Sequence, residues 1–126
     1  MPNNQASEKI FKAKIVHLLL SKDTQEALEL VSKRHGIAKP RLKVGMPKGY
    51  SKKVACYVAN NRTIHVSSRE ALYNPHVILH EFYHHLRNST STQKGLEKHA
   101  NRFAEEYLRA YEMVVAFRSF ESEIKD

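Results

Sequence analysis

The chain has 126 residues, a formal net charge of +8 and one cysteine. That length supports a single domain, 1–126, with one modest core, so any functional groups must share it. Lone Cys56 excludes an internal disulfide or a cysteine-based zinc cluster, and the longest apolar run, Ile15 to Leu20, is far too short to cross a bilayer.

No signal-peptide pattern marks the first ten residues, so the chain reads as soluble and cytoplasmic, with no membrane segment. Cys56 reads as a small buried hydrophobe kept reduced.

In chain order, Ile10, Phe11, Ile15, Leu18 and Leu19 recur at helical spacing. Asp23 with Glu26 three residues on resembles a capping box, and Gly36 is a stop signal. These signals predict two N-terminal helices, or one bent helix. His17 and His35 fall within them as ordinary imidazoles, snorkelling or partly buried. From Lys39 to Lys53 there are six cationic residues and no acidic one. The favoured reading is a solvated basic surface; a cleft rim that attracts acidic peptides or nucleic acid is the alternative. Within this stretch Leu42, Val44 and Met46 alternate with polar positions, as on a strand with one wet face. The run "KVACYVANNRTIHVSS" predicts a hairpin turning at Asn60-Asn61, residues that tolerate positive φ. A small three-stranded sheet follows, antiparallel by preference, mixed otherwise.

Asn74 then stands as an N-cap with Pro75 at the first helical position, after a turn around "SREALY". Leu79, Phe82 and Leu86 form the apolar side of the helix they open, which should end near Asn88. The polar stretch "NSTSTQKG" is a loop, and a last helix runs from about Leu96 into the C-terminal segment. The fold class is therefore α+β: N-terminal helices, a small sheet, a candidate active-site helix, a glutamate-bearing helix and a C-terminal helical segment.

The chemistry concentrates in "VILHEFYHHLRN", which contains the pattern H-E-x-x-H. At 100° per residue, His80, His84 and Glu81 lie at about 0°, 40° and 100°, on a face that excludes Phe82 and Leu86. Two histidines one turn apart can coordinate zinc, and the glutamate between them can act as a general base on metal-activated water. A catalytic zinc site needs a third ligand, and Glu97 and His99 are the candidates. If the helix has begun by Glu97, its phase matches the buried stripe of Ala104, Leu108 and Tyr111, which favours it; a later start revives His99. Asn101, one turn after Glu97, is placed to accept a hydrogen bond from a ligating imidazole. His76, one turn before His80, reads as a helix-start residue, and His85, about 100° from His84, as structural.

His80-Glu81-Phe82-Tyr83-His84, followed by Glu97-Lys98-His99-Ala100-Asn101-Arg102-Phe103-Ala104, resembles the paired H-E-x-x-H and E-x-x-A-[ND]-x-F-A motifs of gluzincin metallopeptidases. In compactness the chain is most similar to the minigluzincins, soluble cores resembling HtpX-type and CAAX-prenyl membrane peptidases. The resemblance implies that His80, His84 and Glu97 are Zn2+ ligands and that Glu81 is the catalytic base. It implies hydrolysis of a peptide or protein substrate through metal-activated water. Such a substrate would lie extended along a sheet edge, for which Val54 to Ala59 is the choice, and Tyr83, Tyr111 or His65 would supply an extra transition-state donor.

The C-terminal run offers Met113, Val114, Val115, Phe117, Phe120 and Ile124, more apolar surface than a tail needs. A plain closing helix is the simplest reading. The alternatives are a cover that keeps the enzyme latent, with Glu121 or Glu123 near the zinc, and a helix exchanged in a homo-oligomer. Two other functions compete with the peptidase: a catalytically inactive zinc-binding regulatory module, and a basic nucleic-acid-binding protein. The second is disfavoured because no recognition helix or aromatic interleaving accompanies the lysines.

Overall fold

A computed structural model describes residues 4–91 and 95–125. Helix α1 (Asn4–Leu20) is followed by α2 (Thr24–Arg34), strands β1 (Arg41–Val44), β2 (Ala55–Val58) and β3 (Thr63–Val66), a 3-10 turn (Glu70–Tyr73), α3 (Pro75–Thr90) and α4 (Glu97–Lys125). The fold is α+β, as the pattern of periods predicts.

The apolar stripe of α1 is narrower than its sequence suggests. Ile15, Val16 and Leu19 are fully buried, whereas Ile10 is exposed on the first half of the helix. Gly36 ends α2 as expected: it adopts a φ of +67°, its N–H bonds to the Lys33 carbonyl, and Ile37 N–H reaches back to Ser32. The capping box at the other end does not form. Asp23 occupies the N-cap position, yet its side chain makes no capping hydrogen bond. Thr24 beside it donates its hydroxyl to the Leu72 carbonyl at 2.7 Å, which ties α2 to the turn that leads into α3.

The sheet is mixed, in the order β1-β3-β2. β2 and β3 form the expected antiparallel hairpin, but β1 pairs in parallel with β3. Alternation along a strand reports which face is buried and leaves its neighbours open. Every residue of β3 is buried, so it takes the centre, and the more exposed β1 is left at an edge. In the hairpin the positive φ falls on Arg62, at +51°, rather than on Asn60 or Asn61.

A single cluster joins these layers: Ile15, Leu19, Leu28 and Val31 from the first two helices, Ile64 and Val66 from β3, Ile78, Leu79 and Phe82 from α3, and Ala104 and Tyr107 from α4. Each large side chain buried there contributes roughly 1.5–3 kcal/mol. One face of α3 is thereby fixed to the core, which leaves its opposite face to carry the polar residues. α3 runs one turn fragment past Asn88, to Thr90, whose hydroxyl donates to the Leu86 carbonyl. Residues 92–94 of the expected polar loop lie outside the described residues, as does the start of the chain, 1–3.

Candidate metal centre

Asn74 sets the phase of α3. Its Oδ1 accepts the Val77 N–H at 3.3 Å, and Pro75 fills the first helical position. Counting from that cap, Ile78, Leu79, Phe82 and His85 turn into the core, while His80 and His84 stand half-buried on the other side. Their ring centroids are 5.3 Å apart.

The third group comes from α4. Glu97 is its first residue; the Leu96 carbonyl accepts the N–H groups of His99 and Ala100, so regular helix has begun where the phase argument needs it. One Glu97 oxygen lies 2.8 Å from His80 Nε2 and the other 2.8 Å from His84 Nε2. His80, His84 and Glu97 offer donor atoms within 4.8 Å of one another, close enough that they could hold one metal ion. His99 is exposed and stands outside this group.

One part of the expectation for Glu97 is corrected. Ala104 is buried and Leu108 and Tyr111 are half-buried, but the Glu97 side chain is 75 % exposed. At its first turn α4 projects past the core, so this phase points toward the polar face of α3. Paired imidazoles, rather than relief from burial, account for the carboxylate's position. Partial desolvation pushes its pKa up, yet hydrogen bonds and charge from His80 and His84 together outweigh this and hold it below the usual range.

Asn101 does what its place one turn after Glu97 suggests. Its Oδ1 lies 2.8 Å from His80 Nδ1, which donates to it. With Nδ1 donating to Asn101, Nε2 is the ring atom that faces Glu97 and that a metal ligand would offer. A nitrogen lone pair and a carboxylate oxygen cannot meet at 2.8 Å without something between them. Either protons fill those spaces and make ion pairs, or one cation takes all three donors. The donor set, two imidazoles and a carboxylate with a positioned second partner, fits a divalent ion.

Glu81 lies beside this group, with Oε2 3.9 Å from His80 Nε2 and its side chain only 11 % exposed. Burial pushes its pKa up to about 7; the charge of His80 opposes the shift, and that of Glu97 adds to it. A carboxyl poised near neutrality is suited to taking and returning a proton.

Glu81, His84 and Glu97 open into a cleft of about 420 Å³, whose far wall is β2 and the segment before it. β2 is a terminal strand of the sheet, so its outer edge has no partner strand among the described residues. Ala55, Cys56 and Tyr57 of that strand line the cleft, within the Val54 to Ala59 stretch chosen as the exposed edge for a substrate. Cys56 is buried, and burial first, then the charge of Glu81, raises its thiol pKa.

None of the three expected extra donors lines the cleft. His65 is buried on β3 and donates from Nδ1 to the Gly45 carbonyl at 3.0 Å. Tyr111 packs against the core from α4. Tyr83 packs at a tilt against Phe103 and lies under Gly95, where an added Cβ would come within 2.5 Å of its ring. That close approach lets the chain entering α4 pass directly over α3 and deliver Glu97.

The hydroxyl-bearing residues in the cleft are instead Tyr50 and Tyr57, with Ser91 at its end. Sequence reasoning missed both tyrosines because the period-two signal of a strand does not reveal which helix lies beside it. His85, expected to be structural, explains how Tyr57 is held. Its Nε2–H donates to the Ala38 carbonyl at 2.7 Å, and burial lowers its pKa and keeps the ring neutral. Nδ1 therefore accepts from the Tyr57 hydroxyl at 2.8 Å, while Asn88 donates to the same oxygen at 3.2 Å. His76 approaches His80 ring to ring, at 6.2 Å between centroids, without joining the metal-capable group. His17 is exposed on α1, and His35 sits at the end of α2 beside Phe82 and Phe103.

Among the described residues none of α4 beyond Glu97 lines the cleft, so Glu121 and Glu123 are not at the candidate site of their own chain. Ile124 lies outside the residues whose side chains are described. No helix among the described residues is long and apolar enough to cross a membrane. Compared with known proteins, the chain matches no family model, no curated protein sequence and no solved structure. The motif resemblance therefore rests on its own residues and the geometry they form.

Proposed function

We propose that this protein is a zinc-dependent metallopeptidase of gluzincin type, with His80, His84 and Glu97 as the zinc ligands and Glu81 as the catalytic base. The observation that supports it most is the meeting of three metal-capable donors with a buried carboxyl tuned near neutrality, beside a cleft that His84, Glu97 and Glu81 line. Three protein ligands suit a catalytic zinc, because they leave a coordination position open. When bound, zinc supplies Lewis acidity toward a carbonyl oxygen and makes water a nucleophile at neutral pH.

The chain's own residues do the rest. Asn101 fixes the tautomer and orientation of His80. Glu81 accepts the proton of the attacking water and returns it to the leaving amine. The free edge of β2 hydrogen-bonds an extended peptide and lays its backbone across the cleft. A reducing cytoplasm is the compartment that suits the lone thiol of Cys56.

Metal content and peptide cleavage, compared among wild type, His84→Ala, Glu97→Ala, His99→Ala and Glu81→Ala, test the reading. His84→Ala and Glu97→Ala lose zinc, and His99→Ala keeps it. Glu81→Ala keeps zinc and loses turnover by about a hundredfold or more. Zinc bound by wild type with no Glu81-dependent cleavage would identify an inactive regulatory module instead. Salt-dependent oligonucleotide binding that survives chelation would identify a nucleic-acid-binding protein.

A further inference from the structure

The cleft has one feature that peptide hydrolysis does not require. Among its described lining residues Lys53 is the sole lysine or arginine, and no carboxylate lies within 4.0 Å of its ammonium. The two acidic groups in the same lining, Glu81 and Glu97, already have roles in the proposed metal centre. Glu81 feels the Lys53 charge from a distance, but with no described carboxylate in ion-pair contact the ammonium is a ready partner for an anion supplied by a ligand.

Lys53 is also held in place. Its backbone N–H bonds to the Tyr50 carbonyl at 3.0 Å, and Tyr50 N–H bonds in turn to Pro47. Its Nζ lies over the Tyr50 ring at 5.9 Å, within range of a cation–π attraction. The next residue, Val54, accepts from Ser67 N–H at 2.8 Å, which anchors the entry to β2. Lys53 therefore stands two residues before the strand whose free edge forms the cleft wall. Lys48 and Lys52 lie in the same segment, and it contains no acidic residue.

We propose that Lys53 is a specificity-determining residue that binds a carboxylate of the substrate peptide, either an Asp or Glu side chain or the free C-terminus. The proposal rests on the peptidase reading for the identity of its ligand, but a binding measurement tests it separately from turnover. Tyr50 limits the directions the ammonium can take, and the basic segment around it draws acidic peptides toward the cleft.

Fluorescence anisotropy on full-length Glu81→Gln protein, which does not cleave, supplies that measurement at low ionic strength. Three labelled peptides of one sequence are compared: Glu-containing with an amidated C-terminus, Gln-containing and amidated, and Gln-containing with a free C-terminus. At least one carboxylate-bearing peptide binds about fivefold tighter than the neutral one, the factor that roughly 1 kcal/mol yields. Whichever of the two shows the gain identifies the source of the carboxylate. Adding Lys53→Glu abolishes or reverses the preference, Lys53→Arg retains it, and Lys52→Glu, with the same charge change outside the cleft lining, leaves most of it. Equal binding of all three peptides overturns the proposal, as does no binding at all. So does an equal loss in Lys52→Glu and Lys53→Glu, which would reveal only a diffuse basic field. A carboxylate preference in a protein whose wild type cleaves nothing would refute the peptidase reading and leave the Lys53 site standing.

Discussion

Asn101 and Glu81 would serve the proposed metal centre in different ways, and each can be tested alone. Asn101 accepts from His80 Nδ1 and so keeps Nε2 available as a ligand atom. Asn101→Ala is expected to weaken zinc binding by about 10- to 100-fold while leaving the fold intact, measured by competition with a chelator of known affinity. Glu81 makes the metal-free protein sensitive to pH. Its folded-state pKa, about 7, lies above the ordinary 4.5, so the unfolded chain loses its proton first as pH rises. The Glu81 contribution to stability is thus undiminished below pH 4.5, falls between about 4.5 and 7, and stays low above that. Glu81→Gln removes this loss, and at pH 8 the metal-free variant should be more stable than wild type by on the order of 3 kcal/mol, read from denaturant unfolding. At this scale the sequence was informative where one helix carries both partners: the spacing of His80, Glu81 and His84, and the step from Glu97 to Asn101. It was silent on Tyr57, whose place in the cleft arises from packing between segments distant in the chain, and it offered the Lys39–Lys53 stretch as a cleft rim only as an alternative, without singling out Lys53. It also misjudged the surroundings of Glu97, because helical phase does not report where a helix overhangs the core.

Among the elements, α3 matters most, since its rotation decides which side chains join the metal-capable group. Asn74 and Pro75 fix where that helix begins. Asn74→Ala is expected to cost about 1 kcal/mol and, for a chain of this size, to lower the thermal midpoint by roughly 4 °C, measured by calorimetry. His85 holds the middle of α3 from two sides, through the Ala38 carbonyl before β1 and the Tyr57 hydroxyl on β2. Helix order and helix starts were legible because caps and apolar periods are local signals. Strand order was not. β1 and β3 pair in parallel although β2 lies between them in sequence, a choice made by the burial of β3 and by the long basic connection, neither of which alternation encodes.

For the molecule as a whole, α4 divides into two parts. Its first half packs on α1 and α3 through Ala100, Ala104, Tyr107 and Ala110. Past that point Met113, Val115, Phe117 and Phe120 are all exposed. With 29 residues the helix is roughly 43 Å long, so its second half extends well beyond the packed region. Truncation after Met113 is expected to leave the thermal midpoint within a few degrees of wild type, checked by differential scanning fluorimetry. If this segment keeps the enzyme latent by covering the cleft of a neighbouring copy, the truncated protein also gains peptidase activity and runs as a monomer in gel filtration. Unchanged activity in the folded truncation would remove that idea and leave α4 a plain closing helix.

Two donors of the metal-capable group stand on α3 and the third on the opening residue of α4, just after the close passage of Gly95 over Tyr83. An ion shared by these three would act as a clasp as well as a reagent, because it fastens the start of one helix to the middle of another. Metal starvation would then be a mechanical event for this chain: the junction ahead of α4 would come loose, and quality-control proteases could sense the empty state before any substrate was left uncut.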